Sequence, residues 1–479
     1  MSLGTNQTTA GARRPQSGRD LTTGSIPRHL VAFSTPMLAG SLLHTAYSLV
    51  NAFWVGKFLG TTALAAITVS MPAVFVLIAV AAGLTLATNI VIAQHYGARD
   101  WERLKSAVQT SIVLIGGSSF VFLVVGEIVA RDLLVAINTP AGVLPSAFSY
   151  MRIFLLGLPF GFGFFLLASM LRGIGDSATP VYFQTVSVGL NIVLDPLLMF
   201  GLLGLPALGI AGAAWASVIA QAVGVAALVA YIQVRKPLVT PDWRRLRVEA
   251  STAWLLVRIG LPAMVQHSVV SVSLLVIVSF VSRFGENADA AFGAGLRIDQ
   301  VSFLPAITIG AAISTLAGQN IGAKRYERVH LVFRWGLLVS VVISLLITVV
   351  VISIPGVLLR AFLNEPEVIA IGVSYLRIVG ITYVLYAVLF ASNGVINGAG
   401  YTTWTTLISV IGLWGVRLPL AYILPRRMHD VRGIWWAMLL SVGCSALLSL
   451  AYYATGRWKR PIIRAGQNDA RNARSPDVV

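Results

Sequence analysis

Gly97-Ala98-Arg99-Asp100-Trp101-Glu102-Arg103 returns as Gly322-Ala323-Lys324-Arg325-Tyr326-Glu327-Arg328, an offset of 225 residues (97 to 322). Working outward, Gln94 maps to Gln319 at the same offset, and Ser149-Tyr150-Met151-Arg152-Ile153 maps to Ser374-Tyr375-Leu376-Arg377-Ile378. Gly173 and Gly175 map to Gly398 and Gly400, and Gly209-Ile210 maps to Gly433-Ile434 at an offset of 224. One offset held at separated places means duplication of a structural unit.

The unit is read from the apolar segments between these landmarks. Segments fall near 31–53, 61–84, 108–130, 148–171, 181–203 and 210–233, then near 258–281, 288–316, 332–354, 370–394, 403–424 and 434–455. Each has the length of a helix crossing a bilayer, where every backbone polar group must be satisfied internally. The spacing predicts an all-α membrane protein of twelve transmembrane helices in two six-helix bundles. An even number of crossings keeps both copies in one orientation, a parallel repeat around a central cavity. The expected divisions are a disordered cytoplasmic tail (1–28), an N-lobe (29–233), a basic cytoplasmic linker (234–255), a C-lobe (256–456) and a cytoplasmic tail (457–479).

Composition agrees. Apolar residues make up 57% of 479 and charged ones only 11%, against about 25% charged in a soluble chain. The net charge of +17 sits mainly in the N-terminal tail, the even-numbered loops and the C-terminal tail. That asymmetry is the positive-inside pattern, with both termini cytoplasmic; no stretch is long enough to carry a nucleic-acid face. The single Cys444 excludes an intramolecular disulfide framework or a Cys-rich cluster, and the absence of a Lys-Ser or Lys-Thr phosphate loop argues against direct ATP drive. Neither an enzyme nor a cofactor is expected.

Ionisable residues at membrane depth are functional candidates. Asp195, in the fifth segment, stands in Asn191-Ile192-Val193-Leu194-Asp195-Pro196. Asn191 shares its helix face and Pro196 frees a carbonyl at that depth. Such a set suits a proton or a small hard cation; a hydrogen-bonded acid at a kink is the plainer alternative. In the first segment His44, Tyr47, Ser48 and Asn51 form one polar face, lining a cavity or joining helices. The second half differs: Gln266, Arg297, Asp299, Asn393 and Arg417 are its deep polar residues. A buried ion pair of Asp299 with Arg417 or Arg297 is one account of it. Intraspan aromatics such as Tyr383 either pack or stack an organic cation.

The run Pro36-Met37-Leu38, then Tyr47 to Gly56, then Leu59-Gly60-Thr61-Thr62-Ala63-Leu64-Ala65-Ala66, resembles the first span and loop of the MATE (multidrug and toxic compound extrusion) transporters. Asn191 to Pro196 and the runs Gln94–Glu102 and Gln319–Glu327 are similar to the same family. The resemblance implies a V-shaped, twelve-helix antiporter, monomeric, in the bacterial inner membrane. It would export small amphipathic organic cations across the lipid bilayer in exchange for H+ or Na+. It further implies an N-lobe ion site from Tyr47, Asn51, Tyr150, Asn191, Asp195 and Ser217. The family usually has aspartate where Asn51 stands, and often glutamine at His44. With one carboxylate left, a proton is the better-matched ion, because sodium wants several hard oxygen ligands. A sodium-coupled exporter and an exporter or flippase of a specific metabolite or lipid-linked precursor remain alternatives. A major-facilitator protein also has parallel halves, but its signature after the second span does not match Gly97 to Trp101.

Overall fold

Without water in the hydrocarbon, a chain this apolar satisfies its backbone by continuous helix, and the computed structural model is helical nearly throughout. It describes residues 18–204, 206–242, 246–460 and 463; the side chains at 48–53, 56, 61, 64, 72 and 73 also fall outside the description. The first half runs α1 (Ile26–Trp54), α2 (Gly60–Ala98), α3 (Trp101–Ala136), α4 (Leu144–Leu156 continued as Leu158–Gly173), α5 (Ala178–Phe200) and α6 (Ile210–Arg235). The second runs α7 (Ala250–Val281), α8 (Glu286–Gly322), α9 (Tyr326–Ser353), α10 (Pro366–Val379 continued as Thr382–Gly398), α11 (Thr402–Val410, a π turn Ile411–Arg417, then Leu418–Met428) and α12 (Arg432–Ala454). Ten of these are long and apolar enough to cross a membrane, and the two pieces of α4, bent by 44°, make an eleventh. The twelfth is α1, whose 29 residues have the length of a crossing.

The repeated motif occupies helix ends rather than a long loop. Helix α2 continues through Ala98 and α3 starts at Trp101, so the turn is two residues long. Arg99 and Lys324, equivalent in the two copies, both adopt left-handed backbone (φ 58° and 57°) and stop their helices as a C-cap residue does. Asp100 then caps α3 by accepting the Arg103 amide at 3.1 Å.

The halves join at this end. Helix α1 packs on α5 of its own half and on α8 of the other; α7 packs on α11 of its own half and on α2 of the other. Leu30 and Phe33 of α1 pack with Ile309, Ile313 and Leu316 of α8, and Leu256 and Ile259 of α7 join the core of the first half. Toward the opposite end each half closes on itself. Ile277, Val281, Phe292, Tyr375 and Trp435 form a core from the second half alone, and Val55, Ala63, Met199 and Ala213 one from the first. The halves are joined at one end and part toward the other.

One expectation needs correction. A disordered tail through residue 28 does not hold for residues 18–28. Leu21 is 1% exposed, and side chains of the second half bond its backbone; residues 1–17 lie outside the described residues. Beyond α12, Trp458 is fully buried and donates to the Tyr453 carbonyl at 3.0 Å, its indole packed beside α9.

Candidate functional site

In the first half, the helical spacing of Asn191 and Asp195 puts both on one face of α5, and that face is sealed: Asn191 is 3% and Asp195 1% exposed. The Asn191 amide donates to Asp195 Oδ1 at 3.4 Å and to Ser217 Oγ of α6 at 3.5 Å. Ser217 in turn meets the Tyr47 hydroxyl of α1 at 3.3 Å. Tyr150, on the first piece of α4, packs against the Ile153, Ala214 and Val218 cluster. Three helices, α1, α5 and α6, are thus linked to one carboxyl group through neutral amide and hydroxyl groups, with Tyr150 of α4 packed on α6. Asn191 Oδ1 is buried with no hydrogen-bond partner among the described residues. His44 is exposed, its ring 6.4 Å from that of Tyr47. The side chains of Asn51 and Ser48 lie outside the described residues.

The second half is built differently. Asp299 is 3% exposed but is in no ion pair among the described residues. Tyr375 donates to its Oδ2 at 2.5 Å and Tyr383 to its Oδ1 at 2.6 Å. The ion pair with Arg417 or Arg297 is therefore corrected: two phenols satisfy the carboxylate instead. Arg297 is exposed and lies over the Phe362 ring at 5.7 Å. Arg417, 8% exposed, donates to Ser441 Oγ at 2.9 Å and the Tyr386 hydroxyl at 3.4 Å. Gln266 donates to Ser409 Oγ at 2.8 Å, and Asn393 accepts from Ser449 at 2.7 Å. Four of these residues of the second half thus hydrogen-bond to separate partners, and Arg297 lies against an aromatic ring.

The sequence reading missed both phenols as partners of Asp299. The repeat held a signal for one of them, since Tyr375 is the equivalent of Tyr150. Near the end of α3, Glu127 pairs with Arg152 of α4 at 2.7 Å. His95 is buried in the last turn of α2. Among the described residues no group of three or more His, Cys, Asp and Glu side chains could hold a metal.

Comparison with known proteins fits this architecture. The MatE family model matches residues 36–197 and again residues 262–423, two matches in step with the duplication. The chain is 33% identical over 444 residues to the probable multidrug resistance protein YoeA of Bacillus subtilis, covering 92% of this chain and 96% of that protein. It is 26% identical over 448 residues to the probable multidrug resistance protein NorM of Thermotoga maritima, covering 91% and 94%. Among solved structures, an outward-facing conformation of a multidrug resistance MATE family transporter of the MOP superfamily superposes with a TM-score of 0.86 at 22% identity, covering 92% of this chain and 97% of that one. A MOP superfamily transporter from Pyrococcus furiosus, described as having a binding pocket of reverse polarity, gives 0.85 at 22% identity, covering 92% and 98%. At such identities the structural likeness shows the fold alone. The doubled family match and the full-length relatives decide the family: this chain belongs to the MatE family of multidrug and toxic compound extrusion transporters.

Proposed function

We propose that this transporter exchanges protons for small amphipathic organic cations, with Asp195 as the coupling carboxylate and Asn191, Ser217, Tyr47 and Tyr150 as its setting. The observation that carries the reading is the sealed cluster around Asp195, which holds one acid and no paired cation among the described residues. A single carboxyl group can take up and release a proton without further ligands. A sodium ion, as a hard cation, would need several oxygen ligands. Asn51, where the family usually has aspartate, removes one negative charge from this half. Asp299, with both oxygens occupied by phenols, is better read as an anchor than as a carrier.

The charge asymmetry supports placing the joined end, which carries the basic turns at Arg99 and Lys324, in the cytoplasm of a bacterial cell. The arrangement is then open to the outside. Substrate would enter between the halves from the cytoplasm in the alternative state and leave outward in this one. The test is efflux of a cationic dye from proteoliposomes under an imposed proton gradient or an imposed sodium gradient. Efflux driven by the proton gradient alone is expected; efflux driven by sodium at constant pH would replace the proton reading.

A further inference from the structure

The joined end holds more than the packing of two halves. Gln94 donates through Nε2 to the Gly398 carbonyl at 2.7 Å, and Gln319 donates to the Gly173 carbonyl at 2.9 Å. Donors and acceptors are repeat equivalents, so these are two copies of one clip related by the internal two-fold. Glycine permits it. A Cβ on Gly97 would stand 1.9 Å from the Gln319 carbonyl oxygen, and one on Gly322 1.9 Å from that of Gln94. The backbones touch across the two-fold, and only glycine fits there.

One copy carries an extra element. The Gln319 Oε1 accepts the Leu21 amide at 3.0 Å, so both ends of that side chain are used. Residues 18–24 lie across the seam. Towards the first half, the Arg19 amide donates to the Ile174 carbonyl at 2.9 Å and Asp20 lies 3.7 Å from Arg99. Towards the second, Asn320 donates to the Leu21 carbonyl, Arg325 to that of Thr22 at 2.7 Å, and Arg328 to that of Gly24 at 3.0 Å. Of the repeat-equivalent stretch before α7, residues 246–249 are described: Leu246 is 39% exposed, and Glu249 bonds Ser106 and Thr110 of α3. Duplication made two clips, and among the described residues the strap lies on that of Gln319.

We propose that residues 18–24 are a latch on the inner gate, holding the two halves together through Gln319 and having to leave the seam before that end can open. The proposal rests on the alternating-access reading given above but not on the identity of substrate or ion. The experiment replaces Cys444 by Ser and labels Glu102→Cys with Glu327→Cys, exposed equivalents flanking the gate, for pulsed electron spin resonance distances. A second label pair, Asn138→Cys with Asn364→Cys, reports the opposite end. Leu21→Glu places a charge in a buried apolar site and expels the strap; Gln319→Leu keeps the volume and removes both bonds, serving if the first variant fails to fold. The longer-distance population at the inner pair is expected to rise about tenfold, the effect of roughly one net hydrogen bond, with the outer pair closing in step. An unchanged inner distance overturns the latch. Widening of the inner pair without closure of the outer one also overturns it, as local fraying. Neither readout depends on drug efflux, so failure of the proton-coupling reading remains distinguishable.

Discussion

Asp299 offers the sharpest energetic test of the second half. Its oxygens accept from Tyr375 and Tyr383 at 2.5 and 2.6 Å, and those phenols belong to the two separate pieces of α10. The carboxylate therefore spans the break at residues 380–381. Each bond joins a charged acceptor to a buried donor, a class that contributes about 1.5–3 kcal/mol. Asp299→Leu strands two buried hydroxyls at about 1–3 kcal/mol each, whereas Asp299→Asn keeps one oxygen acceptor and should cost about half as much. Because Tyr383→Phe removes a bond that Asp299→Asn has already weakened, the two changes should be strongly non-additive. A double-mutant cycle by equilibrium unfolding in mixed micelles should give a coupling of about 1.5 kcal/mol. Additivity within about 0.5 kcal/mol would refute the anchor. So would an Asp299→Asn protein that folds normally but shows a displaced pH profile for efflux, since an anchor has no place in that profile.

Gly322→Ala forces a methyl group onto the Gln94 backbone; overpacking of this kind costs about 1–3 kcal/mol, and the distance labels described above should report the inner gate opening. Asp176 tests the sign of a loop ion pair. Burial alone would lift its carboxyl, but Lys236 at 2.7 Å and the Thr179 bonds outweigh that and hold it below its ordinary value of 3.8. Its stabilisation is thus fully present above that value and lost as pH falls through the lower, folded one. Asp176→Asn should lower the unfolding midpoint equally from pH 5 to 8, by about 2 kcal/mol in stability, and the variant and parent should converge only in stronger acid. Ser217→Ala removes two long bonds, to Tyr47 and Asn191, so stability should fall by less than about 1 kcal/mol while the pH midpoint of efflux moves.

Much of this was legible in the sequence, for physical reasons that particular residues show. Bilayer-length apolar runs admit helix alone, so the helix order followed directly, and the 225-residue offset announced a parallel pair. The Asn191–Asp195 face was readable because helical periodicity fixes which neighbours share a side. Ser217 and Tyr150 entered only through family resemblance. What stayed hidden depends on helix-to-helix geometry. Nothing local to Asp299 tells that phenols 76 and 84 residues away will occupy it, rather than the nearer Arg297. The strap was missed for a different reason. Residues 18–24 are polar and carry no periodicity, so they read as tail, yet their backbone groups meet side chains of Gln319, Asn320, Arg325 and Arg328. Gln94 and Gln319 were visible as equivalents, but their role as reciprocal clips needed the two-fold.

The central claim is that one carboxyl group in the first half couples a proton to export. It is tested most directly by Asp195→Asn, reconstituted in proteoliposomes and compared with the parent for dye efflux under an imposed pH gradient. Asparagine keeps the shape and the bond from Asn191 but cannot release a proton. The account predicts a protein that folds and still binds dye, with gradient-driven efflux abolished. Retained efflux at the parent's rate and pH midpoint would contradict it.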